Sequence, residues 1–124
     1  MDCDWRFSND KPIYTQIAEH IKQLIVSGGF SPGDKLPSVR DMAQEACVNP
    51  NTMQRAMSEL ENNGLLRTMR SAGRYITDDA DLIKRVRTEL AEKEISGFLQ
   101  NMEKLGYSAE GAIGLIIKKQ GGSK

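Results

Sequence analysis

The sequence predicts a mainly α-helical fold with one small β-hairpin. Apolar residues recur at helical spacing in five segments, and a short stretch around residue 70 has the pattern of two strands joined at a glycine. The chain of 124 residues has room for one ordinary domain, or for a small domain with a short accessory unit. It has no run of about 18 apolar residues and no secretion signal at its start, so we expect a cytoplasmic protein without a membrane segment.

The first helix is predicted from residue 12 to about residue 27, where a glycine pair ends it. Lys11 and Tyr14, at its start, could contact a phosphate, although such residues more often belong to the surface and the edge of the core. A turn at residues 31–34 and a short extended segment then lead to the second helix.

Two short helices joined by a tight turn are predicted between residues 38 and 60. Ser38, three residues before Asp41, is a capping signature for the first helix, and Asn49 followed by Pro50 starts the second. The second helix has an apolar side made of Met53, Ala56, Met57 and Leu60. Its other side carries amide, hydroxyl and guanidinium groups, which can read base edges in a DNA major groove. A polar helix face is equally typical of a surface that is only solvated.

A β-hairpin is predicted after these helices, with strands at residues 65–69 and 74–77 and Gly73 at the turn. Arginines at positions 67, 70 and 74 make it the most basic local stretch of the chain. A two-stranded ribbon is not stable alone, so we expect it to pack beside the helices as a wing. The tip of an arginine-bearing wing can reach a minor groove or its flanking phosphates, and the alternative is a solvated hairpin.

The overall charge gives no support to nucleic-acid binding, because 17 basic and 17 acidic groups cancel. Residues 11–77 hold eight Lys and Arg against six Asp and Glu. Any positive surface that faces DNA must therefore be a local patch.

The residues that commonly bind metals or act as nucleophiles are few. Two cysteines, Cys3 and Cys47, and one histidine, His20, are spaced in no zinc-binding pattern. We expect reduced thiols, with Cys47 buried in the turn between the two short helices. We also expect no metal, no cofactor and no enzymatic activity, because His20 has no partner set for catalysis.

Five collinear motifs occur between residues 11 and 77: PIYTQI (12–17), GFSPGDKLPSVR (29–40), VNPNT (48–52), ELE (59–61) and GL (64–65). Together they closely resemble the GntR family of bacterial transcription regulators. The resemblance implies that residues 1–77 form a winged helix-turn-helix that binds operator DNA as a dimer.

The resemblance also implies which residues contact DNA. Arg40 matches the arginine of the family's LPSxR motif, and the residues around the start of the recognition helix are Asn49, Asn51, Thr52 and Gln54. We add the adjacent Arg55, which could read a base, bind a phosphate or pair with Glu59 four residues later.

The wing of this chain departs from the family pattern Arg-Gly-x-Gly-Thr. Here the sequence is Arg70-Ser71-Ala72-Gly73-Arg74, which loses the first glycine and gains an arginine. We expect Arg70, Gly73 and Arg74 to contact DNA. Arg74 either compensates for the lost glycine with its charge or points away along the strand.

Residues 78–120 are predicted to form a helical tail, followed by flexible residues 121–124. Larger GntR relatives append an effector-binding or aminotransferase-like domain, which the 47 residues after Thr77 are too few to form. The apolar stripes of the two tail helices consist of Leu82, Ile83, Val86, Leu90, Ile95, Phe98, Leu99, Met102, Leu105, Ile113, Ile116 and Ile117.

The apolar stripes of the tail either fold back onto the winged domain or pair with those of a second chain. We favour pairing, because the first tail helix is long enough to project away from that domain. The layout resembles the short YtrA-like subfamily, whose small helical tail dimerises, and this implies the same arrangement.

The sequence therefore predicts a homodimeric repressor that binds double-stranded DNA at an inverted-repeat operator. Two recognition helices would enter two major-groove half-sites about one turn apart or more. No small-molecule effector is assigned. The alternative is a winged-helix scaffold that binds proteins and not DNA, which the neutral charge supports.

Overall fold

The computed structural model describes residues 5–69 and 72–122. It has the predicted mainly α-helical fold with one hairpin. The elements in chain order are α1 (Ile13–Ser27), α2 (Val39–Ala46), α3 (Pro50–Asn62), β1 (Leu66–Met69), β2 (Gly73–Ile76), α4 (Ala80–Lys104) and α5 (Ala109–Gly122).

Local capping determines where α2 and α3 begin. The Ser38 hydroxyl accepts a hydrogen bond from the Asp41 backbone N–H at 3.1 Å. The Asn49 side-chain oxygen accepts one from the Asn51 N–H at 2.7 Å, and Pro50 occupies the first helical position. Both starts are where the sequence predicts them, because each cap involves residues within three positions of one another.

Cys47 lies in the turn between α2 and α3, and the prediction of a buried, reduced thiol at this position is wrong. Its φ of 58° lies in the left-handed region, where it ends α2. The residue is exposed and disulfide-bonded, whereas we expected a buried, reduced side chain. The other cysteine of the sequence, Cys3, lies outside the described residues.

The core of the winged unit forms where α1, α2 and β1 pack against α3. Its largest fully buried side chains are Ile17, Ile21, Met53, Met57, Leu60, Leu65 and Ile76. Removing such a side chain from water contributes roughly 1.5–3 kcal/mol each to folding. The apolar side of α3 is thereby fixed in the core, and its polar side faces outward.

The hairpin is antiparallel, with Leu66 opposite Ile76 and Met69 opposite Gly73. Gly73 has a φ of 98°, which strongly favours glycine. Residues 33–36 run along the other edge of β2, where the Leu36 N–H donates to the Arg74 carbonyl at 2.9 Å. The Ile76 N–H donates to the Asp34 carbonyl at 2.8 Å, so the wing has hydrogen-bonded neighbours on both sides of β2.

The chain divides into two compact units after Arg87, so the first unit includes the first two turns of α4. Ile83 is buried in that unit, and Leu82 lies against Gly64, just after α3. The Arg87 side chain donates a hydrogen bond from Nε to the Val26 carbonyl oxygen at 2.8 Å. These contacts of the start of α4 therefore lie within the first compact unit.

The second unit contains the rest of α4, a turn at Gly106 and α5. Gly106 has a φ of 95°, and the Ser108 hydroxyl then accepts a hydrogen bond from the Gly111 N–H at 3.1 Å. Large exposed apolar side chains are Ile95, Phe98, Leu105, Tyr107, Ile113, Leu115, Ile116 and Ile117. Among residues 5–69 and 72–122, no helix combines the length and apolar character needed to cross a membrane.

Candidate nucleic-acid interface

The outer side of α3 presents polar groups over its first two turns. Asn51, Gln54 and Arg55 are exposed, and Thr52 is half-buried. The opposite side of α3 is packed into the core through Met53 and other buried residues, so the polar side chains project from a rigid helix. Such a surface has the donors and acceptors required to read base edges in a major groove.

Two of the predicted base-reading residues already have hydrogen-bonding roles within the protein. Asn49 caps α3 through its side-chain oxygen, as described above. The Gln54 amide nitrogen donates to the Ser58 hydroxyl at 3.3 Å, one helical turn later. This bond orients the Gln54 amide along the helix. Its acceptor, Ser58, lies on the same polar side of α3 and is not among the residues predicted to contact DNA.

Arg55 adopts an arrangement that the sequence did not predict. Its guanidinium carbon lies 3.8 Å from the centroid of the Tyr14 ring, in a cation–π contact. Ile13, Tyr14, Asn51, Thr52 and Arg55 line one shallow surface depression. The start of α1 therefore joins the start of α3 in a single candidate surface. No local pattern in the sequence links Tyr14 to Arg55, because the two residues lie far apart in the chain, on different helices.

Arg40 lies in the first turn of α2, where it is exposed. Lys11, the other basic residue considered for phosphate contact, forms an ion pair with Glu19 at 3.2 Å. Both side chains of this pair are largely exposed, so the pair contributes little to stability.

The arginines of the wing have different surroundings. Arg67 pairs with Asp78 at 3.3 Å, and both side chains are exposed. Arg74 pairs with Glu61 at 2.6 Å, and only 20% of its side chain is exposed. Gly73 is exposed at the start of β2, whereas Arg70, a predicted DNA contact, lies outside the described residues.

The carboxylate of Glu61 is a further charged group between α3 and the wing, and it was not among the predicted site residues. Burial opposes its ionisation, but hydrogen bonds from Thr68 and Arg74 and the charge of Arg74 outweigh that effect and lower its pKa. Glu61 is therefore an ionised partner of the wing at neutral pH.

The predicted tail residues lie in both units. Ile83 is buried within the first unit, and Leu82, Val86, Leu90, Leu99 and Met102 are half-buried. Ile95, Phe98, Leu105, Ile113, Ile116 and Ile117 are exposed. The structure adds Tyr107 and Leu115 to this exposed apolar set.

The model of a family described as "Bacterial regulatory proteins, gntR family" matches residues 13–76, just over half of the chain. The HTH-type transcriptional repressor YtrA of Bacillus subtilis (strain 168) is 39% identical over 108 residues, which cover 87% of this chain and 78% of that protein.

Solved structures give the same assignment. A GntR family transcriptional regulator from Listeria monocytogenes is 40% identical, with a TM-score of 0.83 over 90% of this chain and 98% of that one. The AraR DNA-binding domain, solved in complex with operator ORE1, is 25% identical, with a TM-score of 0.53 over 62% of this chain and 94% of that one.

These relatives confirm three expectations from the sequence: the winged helix-turn-helix fold, the likeness to YtrA-type regulators, and a role in regulation rather than catalysis. The DNA-binding helix-turn-helix of such regulators corresponds to α2 and α3. The chain belongs to the GntR family of bacterial transcription regulators.

Proposed function

We propose that this protein is a homodimeric transcriptional repressor that acts in the cytoplasm by binding an inverted-repeat operator. The observation that carries the proposal is the exposed polar surface at the start of α3, whose opposite side is anchored in the core. A rigid helix with amide, hydroxyl and guanidinium groups at its open end suits insertion into a major groove. The name of the relative YtrA supports repression as the direction of control.

Within this proposal, phosphate contacts and base contacts are made by different residues. Arg40 and the wing, with Arg70 and Gly73, set affinity through the DNA backbone. Sequence preference comes from the start of α3, through Asn49, Asn51, Thr52, Gln54 and Arg55. Tyr14 holds the Arg55 guanidinium in place before DNA arrives, which reduces the conformational freedom lost on binding.

The proposed dimer forms through the exposed apolar side chains of α4 and α5. Eight large apolar residues of the second unit are exposed in one protomer, and pairing with a second copy would remove them from water. Ile83 is left out of the proposed interface, because it is already buried within its own protomer. A dimer also presents two recognition helices to two half-sites.

The role of Arg40 is tested by measuring the affinity of Arg40→Ala for an operator duplex and for a random duplex. We expect both affinities to fall alike, by about tenfold at 0.1 M salt, and the salt slope of log K to fall by about one. Arg85→Ala is the matched control, because it removes the same charge from an exposed site on α4. A loss confined to the operator would show that Arg40 reads a base, and no loss would exclude contact with DNA.

A further inference from the structure

Glu61, in the last turn of α3, binds both strands of the wing. Its Oε1 accepts a hydrogen bond from Arg74 Nε on β2 at 2.6 Å, and its Oε2 accepts one from the Thr68 hydroxyl on β1. Thr68 and Arg74 face each other in the register of the hairpin. The Glu61 carboxylate of α3 is therefore bound by one cross-strand residue pair of the wing.

We propose that Arg74 is a positioning residue rather than a DNA contact, and that with Glu61 and Thr68 it fixes the orientation of the wing relative to the recognition helix. This inference rests on the proposed function, since the wing must reach DNA while α3 lies in the groove. A two-stranded ribbon is only marginally stable without such packing.

The surroundings of the pair favour this role. Only 20% of the Arg74 side chain and 28% of the Glu61 side chain are exposed, against 59% and 75% for Arg67 and Asp78. Charge-assisted hydrogen bonds with little exposure are stronger and less screened than surface ion pairs. The Arg67–Asp78 pair, on the same hairpin, provides an internal comparison.

The position of Glu61 gives a second argument. A carboxylate in the last turn of a helix is disfavoured by the helix dipole, and near DNA it would also repel phosphates. Arg74 offsets both effects by neutralising the carboxylate within the protein. The lowered pKa of Glu61 agrees with a carboxylate whose charge is compensated.

A wing that is already oriented in the free protein loses less conformational entropy when DNA binds. If the wing sampled many angles, DNA would have to select one of them, and affinity would fall with the fraction of suitable conformers. With the wing fixed against α3, a single conformation of the protein allows α3 to enter the major groove while the wing contacts the DNA backbone.

The first test uses the free, full-length protein and measures amide hydrogen exchange. The Leu36 amide donates to the Arg74 carbonyl of β2, and the Ile76 amide of β2 donates to the Asp34 carbonyl. We expect Glu61→Gln and Arg74→Met each to accelerate exchange of these two amides by about five- to tenfold. The amide of Ile17 in α1 should be unaffected, and Arg67→Met should change none of these rates. Unchanged exchange at Leu36 and Ile76 in both variants would overturn the proposal.

The second test measures operator affinity as a function of salt. We expect Glu61→Gln and Arg74→Met to weaken binding by similar factors, the double variant to be no weaker than either, and the salt slope to stay unchanged. Arg74→Lys keeps the charge without the Nε donor, so we expect it to behave like Arg74→Met.

The opposite result would assign Arg74 to a phosphate. In that case Arg74→Met would lower the salt slope by about one, Arg74→Lys would bind normally, and Glu61→Gln would bind as well as the parent or better. If the parent protein bound no DNA, the proposed function would fail, whereas the exchange measurements would still decide whether Arg74 orients the wing.

Discussion

Replacing Met53 by alanine is expected to destabilise the protein by roughly 2–5 kcal/mol. Met53 lies on the recognition helix and is completely buried among the core residues that α3 shares with its neighbours. Alanine there loses apolar burial and leaves a cavity, since a packed core relaxes only partly. Domains of this size typically have about 5–15 kcal/mol of stability, so the loss would be a large part of the total.

Met69→Ala is the matched control for this substitution. Met69 is also a methionine of the winged unit, but it lies on β1 and is 50% exposed. Urea unfolding followed by circular dichroism should give a free energy of unfolding for Met69→Ala that lies within about 0.5 kcal/mol of the parent value. Equal effects of the two substitutions would contradict the packing of α3 described here.

Replacing Phe98 by aspartate is expected to convert the proposed dimer into a monomer. Phe98 lies on α4 and is 41% exposed in the protomer, so a charge there should be tolerated by the single chain. In the proposed interface the same charge would be buried without a partner, which is strongly unfavourable. Loss of the second recognition helix should reduce operator affinity by about 10²- to 10⁴-fold, because the two half-sites would no longer be bound together.

Gln100→Asp is the control for the tail. Gln100 is exposed on the side of α4 opposite to Phe98, and the substitution introduces the same charge. Sedimentation equilibrium should show a monomer for Phe98→Asp and a dimer for Gln100→Asp. A Phe98→Asp variant that stays dimeric would show that the interface lies elsewhere.

The sequence could predict the features that depend on neighbouring residues. The caps at Ser38 and Asn49 and the glycine at position 73 act within a few positions, so their effect is visible in the linear chain. The apolar spacing of α3 likewise predicted which side is buried, because helical geometry alone relates Met53 to Leu60.

The contacts that the sequence could not predict join residues distant in the chain. Arg55 had Glu59 as a local candidate partner, yet it stacks on Tyr14 of another helix. Arg74 was expected at DNA, yet it pairs with Glu61, 13 residues earlier. Such choices depend on how α1, α3 and the hairpin pack, and an arginine side chain is long enough to reach several alternative partners.

Selection from a random DNA pool would show whether this chain binds a specific DNA sequence as a dimer. The protein should enrich an inverted repeat whose half-sites are about one helical turn apart or more. Phe98→Asp should lose most of that enrichment, and Gln100→Asp should retain it. Failure to enrich any sequence, together with failure to retard DNA at low salt, would exclude sequence-specific DNA binding and favour the protein-binding scaffold.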